Sequence, residues 1–319
     1  MLADKSGKPV ASVVVPAYKS RGTISACLKS LLPQQTDLPY EVIVVESSGD
    51  GTADVVRECF PDVRLIESRS RLLSGAARNM GAGVSSGEIL LFVDSDCVAE
   101  SSWIQKMWDA HLGFDGAAVG GAVLNGNPEV PVSVASYITE FSVFFPYGQT
   151  RCMEYLCAGN VSYKADVFRR YGGFDPDQPL YVDLMFNKKL FAAGEKLLFR
   201  PDITVTHRHR EGLREYLDHE VGRGRAAVAA RRRGLLVGKW WVKHPALASL
   251  LIPALFLQKA VVFPCRFVRT YPSKLGSLAR ALPYVWIGLT FWHYGFLRGL
   301  FAASDSRPAE EGAAGCASS

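Results

Sequence analysis

Hydrophobic and polar positions alternate in short blocks along the first third of the chain. Short β-branched runs predict strands at 12–15, 41–45, 63–66 and 89–93, and helix-like segments at 23–32, 53–59 and 76–84 lie between them. Strands that alternate with crossover helices are typical of an α/β fold with a mostly parallel, Rossmann-like sheet and helices on both faces. The first third of the chain is therefore predicted to form such a sheet.

The pattern becomes looser after residue 117. We predict a strand at 117–123, a Pro- and Gly-rich loop, and an aromatic stretch at 137–147 that could form the wall of an acceptor site. Helices at 164–171 and 183–193, strands at 197–199 and 204–205, and a basic helix from Glu211 follow. Residues 304–319 have the composition of a disordered tail.

The last third of the chain contains two apolar runs, 246–263 and 282–301, each close to the length that spans a bilayer. Lys259 interrupts the first run, and His293 and Arg298 interrupt the second. Because a charge at the bilayer centre is costly, we predict interfacial or re-entrant helices instead of membrane spans. Trp and Tyr residues beside both runs favour an interface, and the alternative is that the runs are core helices of a soluble second domain.

Charge and cysteine content narrow the class of protein. Lys and Arg total 36 against 31 acidic residues, a balance too mild for a protein that binds nucleic acid through its charge. Basic residues are dense between Arg223 and Lys243, just before the apolar runs, which indicates an anionic membrane surface as a partner. The seven cysteines are scattered, and the first apolar run is too short for a signal peptide. We therefore expect the catalytic part at the cytoplasmic face of the cell (inner) membrane.

The sharpest candidate for chemistry is the segment 90–96, an apolar strand that ends in Asp94 and Asp96. Two carboxylates with this spacing can supply oxygens to one locus if the chain turns after the strand. Oxygen ligands suit Mg²⁺ or Mn²⁺, and a bound diphosphate would supply further oxygens. A lone pair of this kind is more often a solvated turn, so the surrounding motifs must decide between the two interpretations.

Several of these motifs, between about residues 12 and 225, resemble the family 2 glycosyltransferases of the GT-A fold. Segment 13–18 is similar to the opening strand of the family, 44–52 to its second-strand motif, and 75–81 with 87–90 to the helix and strand before the Asp-x-Asp pair. The resemblance implies a GT-A catalytic domain, a nucleoside diphosphate sugar as donor and Mg²⁺ or Mn²⁺ as cofactor.

The resemblance also implies roles for individual residues at the donor site. Pro16 and Tyr18 stand at the nucleobase end of the first strand, although Lys19 replaces the usual Asn. Glu46 replaces the Asp that reads the base, and because a longer carboxylate can still accept a base N–H, uridine is the expected base. The remaining residues implied at the donor are Arg78, Asn79, Asp94, Gly159 and Asn160, and those implied at the metal are Asp94, Asp96 and His207. A solvated basic loop is an almost equal alternative for His207.

The general base of the family is the Asp of a Glu-Asp pair that opens a helix, and Asp183 keeps that position, although Val182 replaces the Glu. An apolar neighbour would raise the pKa of the Asp183 carboxyl by desolvation, toward a range useful for a base. The alternative is an ordinary Asp stabilised by the dipole of the helix N-terminus. A single in-line displacement with Asp183 as base would invert the anomeric carbon.

The sequence thus predicts a catalytic domain at 1–232, in which about 11–125 bind the nucleotide sugar and about 126–210 bind the acceptor. A membrane-associated helical region follows at 233–303. The expected reaction is transfer of a sugar, with inversion, to a hydroxyl of an acceptor such as a lipid-linked glycan or exopolysaccharide. The alternatives are a membrane-bound protein that binds nucleotide sugars without turnover, which Glu46 and Val182 motivate, and a scaffold of polysaccharide assembly.

Overall fold

The computed structural model describes residues 8–302, except Leu235 and Val237. The predicted tail at 304–319 lies outside this range. The strands are β1 Ala11–Ala17, β2 Tyr40–Glu46, β3 Arg64–Glu67, β4 Ile89–Val93, β5 Cys97–Ala99, β6 Ala118–Asn125, β7 Arg151–Cys152, β8 Asn160–Lys164 and β9 Leu197–His207.

The helices of the described residues begin with α1 Ile24–Leu31, α2 Thr52–Cys59, α3 Ser74–Val84, α4 Trp103–Leu112, α5 Pro131–Phe141, α6 Ala165–Arg170 and α7 Val182–Ala192. They continue with α8 Leu213–Arg232, α9 Lys239–Lys243, α10 Pro245–Leu250, α11 Ile252–Thr270 and α12 Leu275–Phe301, with a short 3₁₀ turn at Pro272–Lys274.

The nine strands of the described residues form one sheet in the order β3-β2-β1-β4-β8-β6-β9-β5, with β7 paired to β9. The first four strands of this order are parallel, as predicted. The prediction of a mostly parallel sheet is wrong for the other half, because β8, β5 and β7 run antiparallel to their neighbours. The result is a mixed sheet.

Helices cover both faces of the sheet, and β2 shows why. Its residues alternate between the two faces, so Val42 and Val44 join the main apolar core with α1, whereas Ile43 and Val45 pack with Ala77 of α3. The predicted helices on both faces are therefore confirmed for this part of the sheet.

Several elements were not predicted from the sequence. Helix α5 covers a stretch that we interpreted as loop and aromatic wall; its Ser, Thr, Val and Tyr residues have weak helix propensity. Strand β9 is one continuous element where two short strands were predicted. Strand β5 has only three residues, too few to give a period.

The C-terminal helices pack against the rest of the protein through α8 and α5. Apolar side chains of α5, α8, α11 and α12 form one buried cluster, which contains Ile138, Tyr216, Phe267 and Leu289. Within the described ranges no helix combines the length and the apolarity that crossing a bilayer requires. A chain cut after about Arg233 would expose the apolar side of α8, because α12 covers it.

Glycines allow α8 and α12 to approach closely. A Cβ on Gly295 would lie 2.1 Å from the backbone oxygen of Val221, and one on Gly224 would lie 2.0 Å from that of Trp292. Backbone atoms cannot move aside as a flexible side chain can, so any side chain at these positions must push the helices apart.

We predict that Gly295→Ala lowers the free energy of unfolding by about 1–3 kcal/mol, the range for overpacking a tight contact. Gly276→Ala is the matched control, because it lies on the same helix with no atom within 4 Å of an added Cβ. Urea unfolding followed by circular dichroism measures both variants. Equal stability of the two would contradict the close contact between α8 and α12.

Candidate active site

Candidate residues from distant parts of the sequence meet at one edge of the sheet. Glu46 ends β2, Asp94 follows β4 and His207 ends β9; these strands run in the same direction, so their carboxyl ends share an edge. The antiparallel β8 begins at this edge, because Asn160 pairs with Val93. Ligands of open α/β sheets bind beyond such strand ends.

The two aspartates of the Asp-Ser-Asp segment are separated by a serine that points into the protein. Ser95 is buried, and its hydroxyl lies 2.7 Å from the hydroxyl of Ser20. Asp94 and Asp96 on either side remain partly exposed. The hydrogen bond of Ser95 therefore fixes the turn that leaves the two carboxylates accessible.

Asp94 forms an ion pair with Arg78, whose side chain is buried and whose Nη2 donates to Asp94 Oδ1. The Nε of Arg78 has no partner within the described residues. A Cβ on Gly159 would lie 2.9 Å from Asp94 Oδ2, so a glycine is needed there for the carboxylate to fit. The predicted donor-site residues Arg78, Asp94 and Gly159 are thus neighbours.

Asp96 and His207 form the candidate metal centre. His207 Nε2 lies 3.4 Å from Asp96 Oδ1, and these atoms and the sulfur of Cys97 all lie within 4.8 Å of one another. Burial raises the pKa of the Cys97 thiol well above its ordinary value. The carboxylate oxygen and the imidazole nitrogen are atoms that can hold a divalent cation. The carboxylate of Asp94, also predicted as a ligand, does not belong to this group and pairs with Arg78 instead.

The His207 ring is held by a second histidine. His207 Nδ1 lies 3.1 Å from His209 Nδ1, and His209 is buried against Tyr137 and Phe141. Burial lowers the pKa of His209 well below its ordinary value. Burial also opposes the charge on His207, but the carboxylates around it, Asp96 foremost, together raise the pKa of His207. A neutral His209 beside His207 fixes the ring that faces Asp96.

Asp183 lies in the first turn of α7 and contacts the segment that precedes β8. The backbone N–H of Ala158 donates to its Oδ2 at 3.1 Å. Burial raises the pKa of the Asp183 carboxyl, the direction expected from its apolar neighbour Val182, which is itself buried. Val182 also packs close to Gly75 of α3, and this contact places the start of α7 near the helix that carries Arg78.

Asp94 and Asp183 line the same cavity, of about 430 Å³, which extends between the sheet edge and helices α5, α8, α11 and α12. A volume of this order is typical of ligand pockets. The cavity brings the donor-side pair Arg78–Asp94 to the carboxylate predicted as base.

Two residues predicted at the donor use their side chains inside the protein. The Asn160 amide accepts from Trp103 Nε1 at 2.8 Å and donates to the backbone oxygens of Ala122 and Ile203, and the residue is 0% exposed. Asn79 exchanges two hydrogen bonds with the backbone of Phe174. These side chains position the loops of the site, and a contact of either residue with a donor stays a prediction.

The residues predicted at the nucleobase lie at the ends of β1 and β2. Glu46 is buried, and its Oε1 accepts from the backbone N–H groups of Ser48 and Gly49 at 2.6 and 3.3 Å. Tyr18 is 38% exposed, with the guanidinium of Arg71 4.6 Å from its ring centroid. Pro16 lies on β1 and pairs in register with Val45 of β2. A contact of these residues with a base stays a prediction.

Sequence reasoning missed a polar cluster in the cavity wall. Glu140 of α5 accepts from Arg210 at 3.1 Å and lies 3.2 Å from His219 Nε2, and Arg223 pairs with Glu220 at 2.7 Å. No local motif marks these residues. Glu140 comes from α5, which we interpreted as loop, and the residues between His219 and Arg223 come from α8, which we predicted only as a basic helix. The cavity therefore contains more charge than the motifs indicate.

The fold is similar to that of a solved mannosyltransferase, PcManGT from Pyrobaculum calidifontis, in complex with GDP-Man and Mn²⁺. The similarity has a TM-score of 0.59 at 19% identity and covers 93% of this chain and 88% of the other. With the site at the strand edge, it defines the class of the protein as an α/β protein with a GT-A-like fold.

The sequence comparison identifies the family. Residues 12–171 match the family described as "Glycosyl transferase family 2", and the chain belongs to this family. Glycosyltransferase AglE of Haloferax volcanii is 28% identical over 233 residues, covering 69% of this chain and 74% of the relative. The glucosyl-dolichyl phosphate glucuronosyltransferase of the same organism is 28% identical over 185 residues, covering 51% and 55%. The protein is therefore a glycosyltransferase, and the family and these relatives support sugar transfer from a nucleotide sugar.

We predict that Asp96→Ala abolishes Mn²⁺-dependent binding of a nucleotide sugar, because the Asp96–His207 pair then offers the metal no carboxylate oxygen. Calorimetry of nucleotide-sugar binding with and without Mn²⁺ measures the effect. Asp62→Ala, an exposed position outside the site, is the control that removes the same charge. Unchanged Mn²⁺-dependent affinity in Asp96→Ala would place the metal elsewhere.

Proposed function

We propose that the protein transfers a sugar from a nucleoside diphosphate sugar to a hydroxyl of a lipid-linked glycan or exopolysaccharide, with inversion at the anomeric carbon. The observation that carries this proposal is the single cavity that Asp94 and Asp183 share. A donor held at the strand edge would present its anomeric carbon to this cavity, and an acceptor hydroxyl within it would meet the Asp183 carboxylate.

Asp96 and His207 would hold Mn²⁺ or Mg²⁺ against the diphosphate of the donor. The metal would stabilise the negative charge that develops on the departing nucleoside diphosphate. Arg78 keeps the Asp94 carboxylate in place, and we propose that this carboxylate binds the ribose. The unpaired Nε of Arg78 remains a hydrogen-bond donor for the same ligand.

Asp183 would act as the general base. Its carboxylate accepts the proton of the acceptor hydroxyl while that oxygen forms a bond to the anomeric carbon and the bond to the phosphate oxygen breaks. Because this displacement occurs in one step from the face opposite the leaving group, the anomeric configuration inverts. The raised pKa makes Asp183 a stronger base than an ordinary Asp.

A lipid-linked acceptor is supported by the similarity to the glucosyl-dolichyl phosphate glucuronosyltransferase and by the surface of the C-terminal helices. Large apolar side chains are exposed on α10, α11 and α12, namely Leu250, Leu257, Val261, Trp286, Ile287, Tyr294 and Phe301. Basic residues lie beside them at Lys239, Lys243, Arg266, Arg269, Lys274 and Arg280. This combination fits interfacial attachment to an anionic membrane, and we propose the cytoplasmic face of the inner membrane as its location.

A screen of UDP- and GDP-sugars for release of nucleoside diphosphate, with Mn²⁺, with Mg²⁺ and with a chelator, tests the function. We expect turnover with a UDP-sugar and a divalent cation. NMR of the product linkage then shows whether the configuration inverts. Binding of donors without release under any condition would favour a protein that has lost turnover, and absence of binding would favour a scaffold.

We predict that Asp183→Asn lowers turnover by about 100-fold or more, because an amide cannot accept the proton. Binding of the nucleotide sugar should stay nearly intact. Asp177→Asn, which changes an exposed carboxylate before the same helix, is the control. Turnover near the wild-type value in Asp183→Asn would move the base elsewhere.

The pH profile gives a second readout of the same residue. Asp183 must be deprotonated to act as base, and its folded-state pKa lies above the ordinary value of 3.8. Activity should therefore be lost as the pH falls through this raised pKa, and the acid limb of kcat/KM should lie above pH 3.8.

We predict that the full chain floats with vesicles of phosphatidylcholine and phosphatidylglycerol at low salt, and that Leu257→Glu with Val261→Glu lowers bound protein at least tenfold. Each buried aliphatic side chain contributes about 1.5–3 kcal/mol to partitioning. Leu112→Glu, which changes a residue 71% exposed on α4, is the control. Flotation of the double variant at the wild-type level would exclude α11 as the membrane-facing helix.

A further inference from the structure

The cavity that contains Asp183 is also lined by cations of α8 and α11. These are Arg231 of α8 and Lys259 of α11, and Phe263 and Trp292 line the cavity with them. The ammonium of Lys259 lies over the ring of Trp292. One cavity thus contains the Asp183 carboxylate and two cations from α8 and α11.

The charges of the cavity are unevenly paired. Arg78 is paired with Asp94, and Arg223 with Glu220, whereas Arg231 and Lys259 form no ion pair within the part of the chain that the structure describes. Burial, and the neighbouring Arg223 and Arg231, lower the pKa of Lys259 to about 7. Unpaired cations with restricted access to water are costly, and an anion between them would remove this cost.

The surroundings of these cations indicate which kind of molecule the bound anion would belong to. The cavity wall beside them is apolar at Phe263 and Trp292, and α11 exposes Leu257 and Val261. An anion that enters between α8 and α11 therefore passes a helix with an apolar outer surface. An amphiphile with an anionic head group fits this arrangement better than a freely soluble anion does.

We propose that Lys259 and Arg231 bind the phosphate of a lipid-linked acceptor and thereby place its sugar hydroxyl at Asp183. The inference rests on the proposed function and names the chemical class of its acceptor. The two cations are positioning residues, because they contact the phosphate of the substrate and not the reacting atoms. The donor diphosphate is a poor alternative occupant, because the candidate metal ligands Asp96 and His207 do not line this cavity.

Calorimetry of farnesyl phosphate binding to the full chain in neutral detergent micelles tests this site without requiring turnover. We expect Lys259→Met and Arg231→Gln each to weaken binding about tenfold or more, since each removes a charged hydrogen-bond donor. Lys259→Arg should stay within about threefold of wild type. Lys29→Met, which removes an exposed cation of α1, is the matched control and should bind as wild type does.

Farnesol and inorganic phosphate separate the sources of affinity. We expect both to bind at least tenfold more weakly than farnesyl phosphate. The proposal would be overturned if inorganic phosphate or farnesol bound as tightly as farnesyl phosphate, or if both cavity variants kept the wild-type affinity. Loss of nucleotide-sugar binding in those variants, with farnesyl phosphate binding retained, would also overturn it. Failure of the proposed function is distinguishable, because it would appear as absence of nucleoside diphosphate release while farnesyl phosphate still binds.

Discussion

The fixed arrangement of the site depends on the buried side-chain amide of Asn160. The register of β6 against β9 shifts between Gly121 and Ala122, and such a shift interrupts the backbone hydrogen bonds of the ladder. Asn160 donates to the oxygen of Ala122, where the pairing resumes on β6, and to that of Ile203, one of the extra residues of β9 at this irregularity. A buried carbonyl without a partner costs about 1–3 kcal/mol, so the amide stabilises a bend that would otherwise be unfavourable. The bend determines where β9 ends and hence where His207 meets Asp96.

The sequence predicts the first half of the fold and the residues at the strand ends well, because β-branched runs and glycine-flanked helices give a strong local signal. The parallel strands β1 to β4 and the position of Asp94 after β4 follow from such signals, whereas Asp183 was predicted from the resemblance to the family. The mixed part of the sheet does not, because the direction of β8 depends on long-range pairing. Asn79 and Asn160 show the same limit: a motif identifies them as important, but whether their amides contact a ligand or the backbone depends on the tertiary structure.

The charged groups of the protein form two regions that would bind partners of opposite charge. At the sheet edge, carboxylates and a histidine face each other, and a divalent cation would balance their charge. In the cavity that contains Asp183, Arg231 and Lys259 have no carboxylate partner among the described residues, and the balance would come from an anion. Glu140, held between Arg210 and His219, lies in the wall of this cavity. Burial raises the pKa of Asp183, which lines the same cavity.

The glycines at which α8 meets α12 have a consequence for the integrity of the chain. Gly224, Gly295 and Gly299 bring the two helices into backbone contact, while the segment between α8 and α11 contains only short helices. A cut in that segment would break the covalent chain but leave the glycine contact and the shared apolar cluster in place. The two fragments would remain associated as a non-covalent complex, so the protein can be nicked there without separating into a free catalytic part and a free C-terminal part.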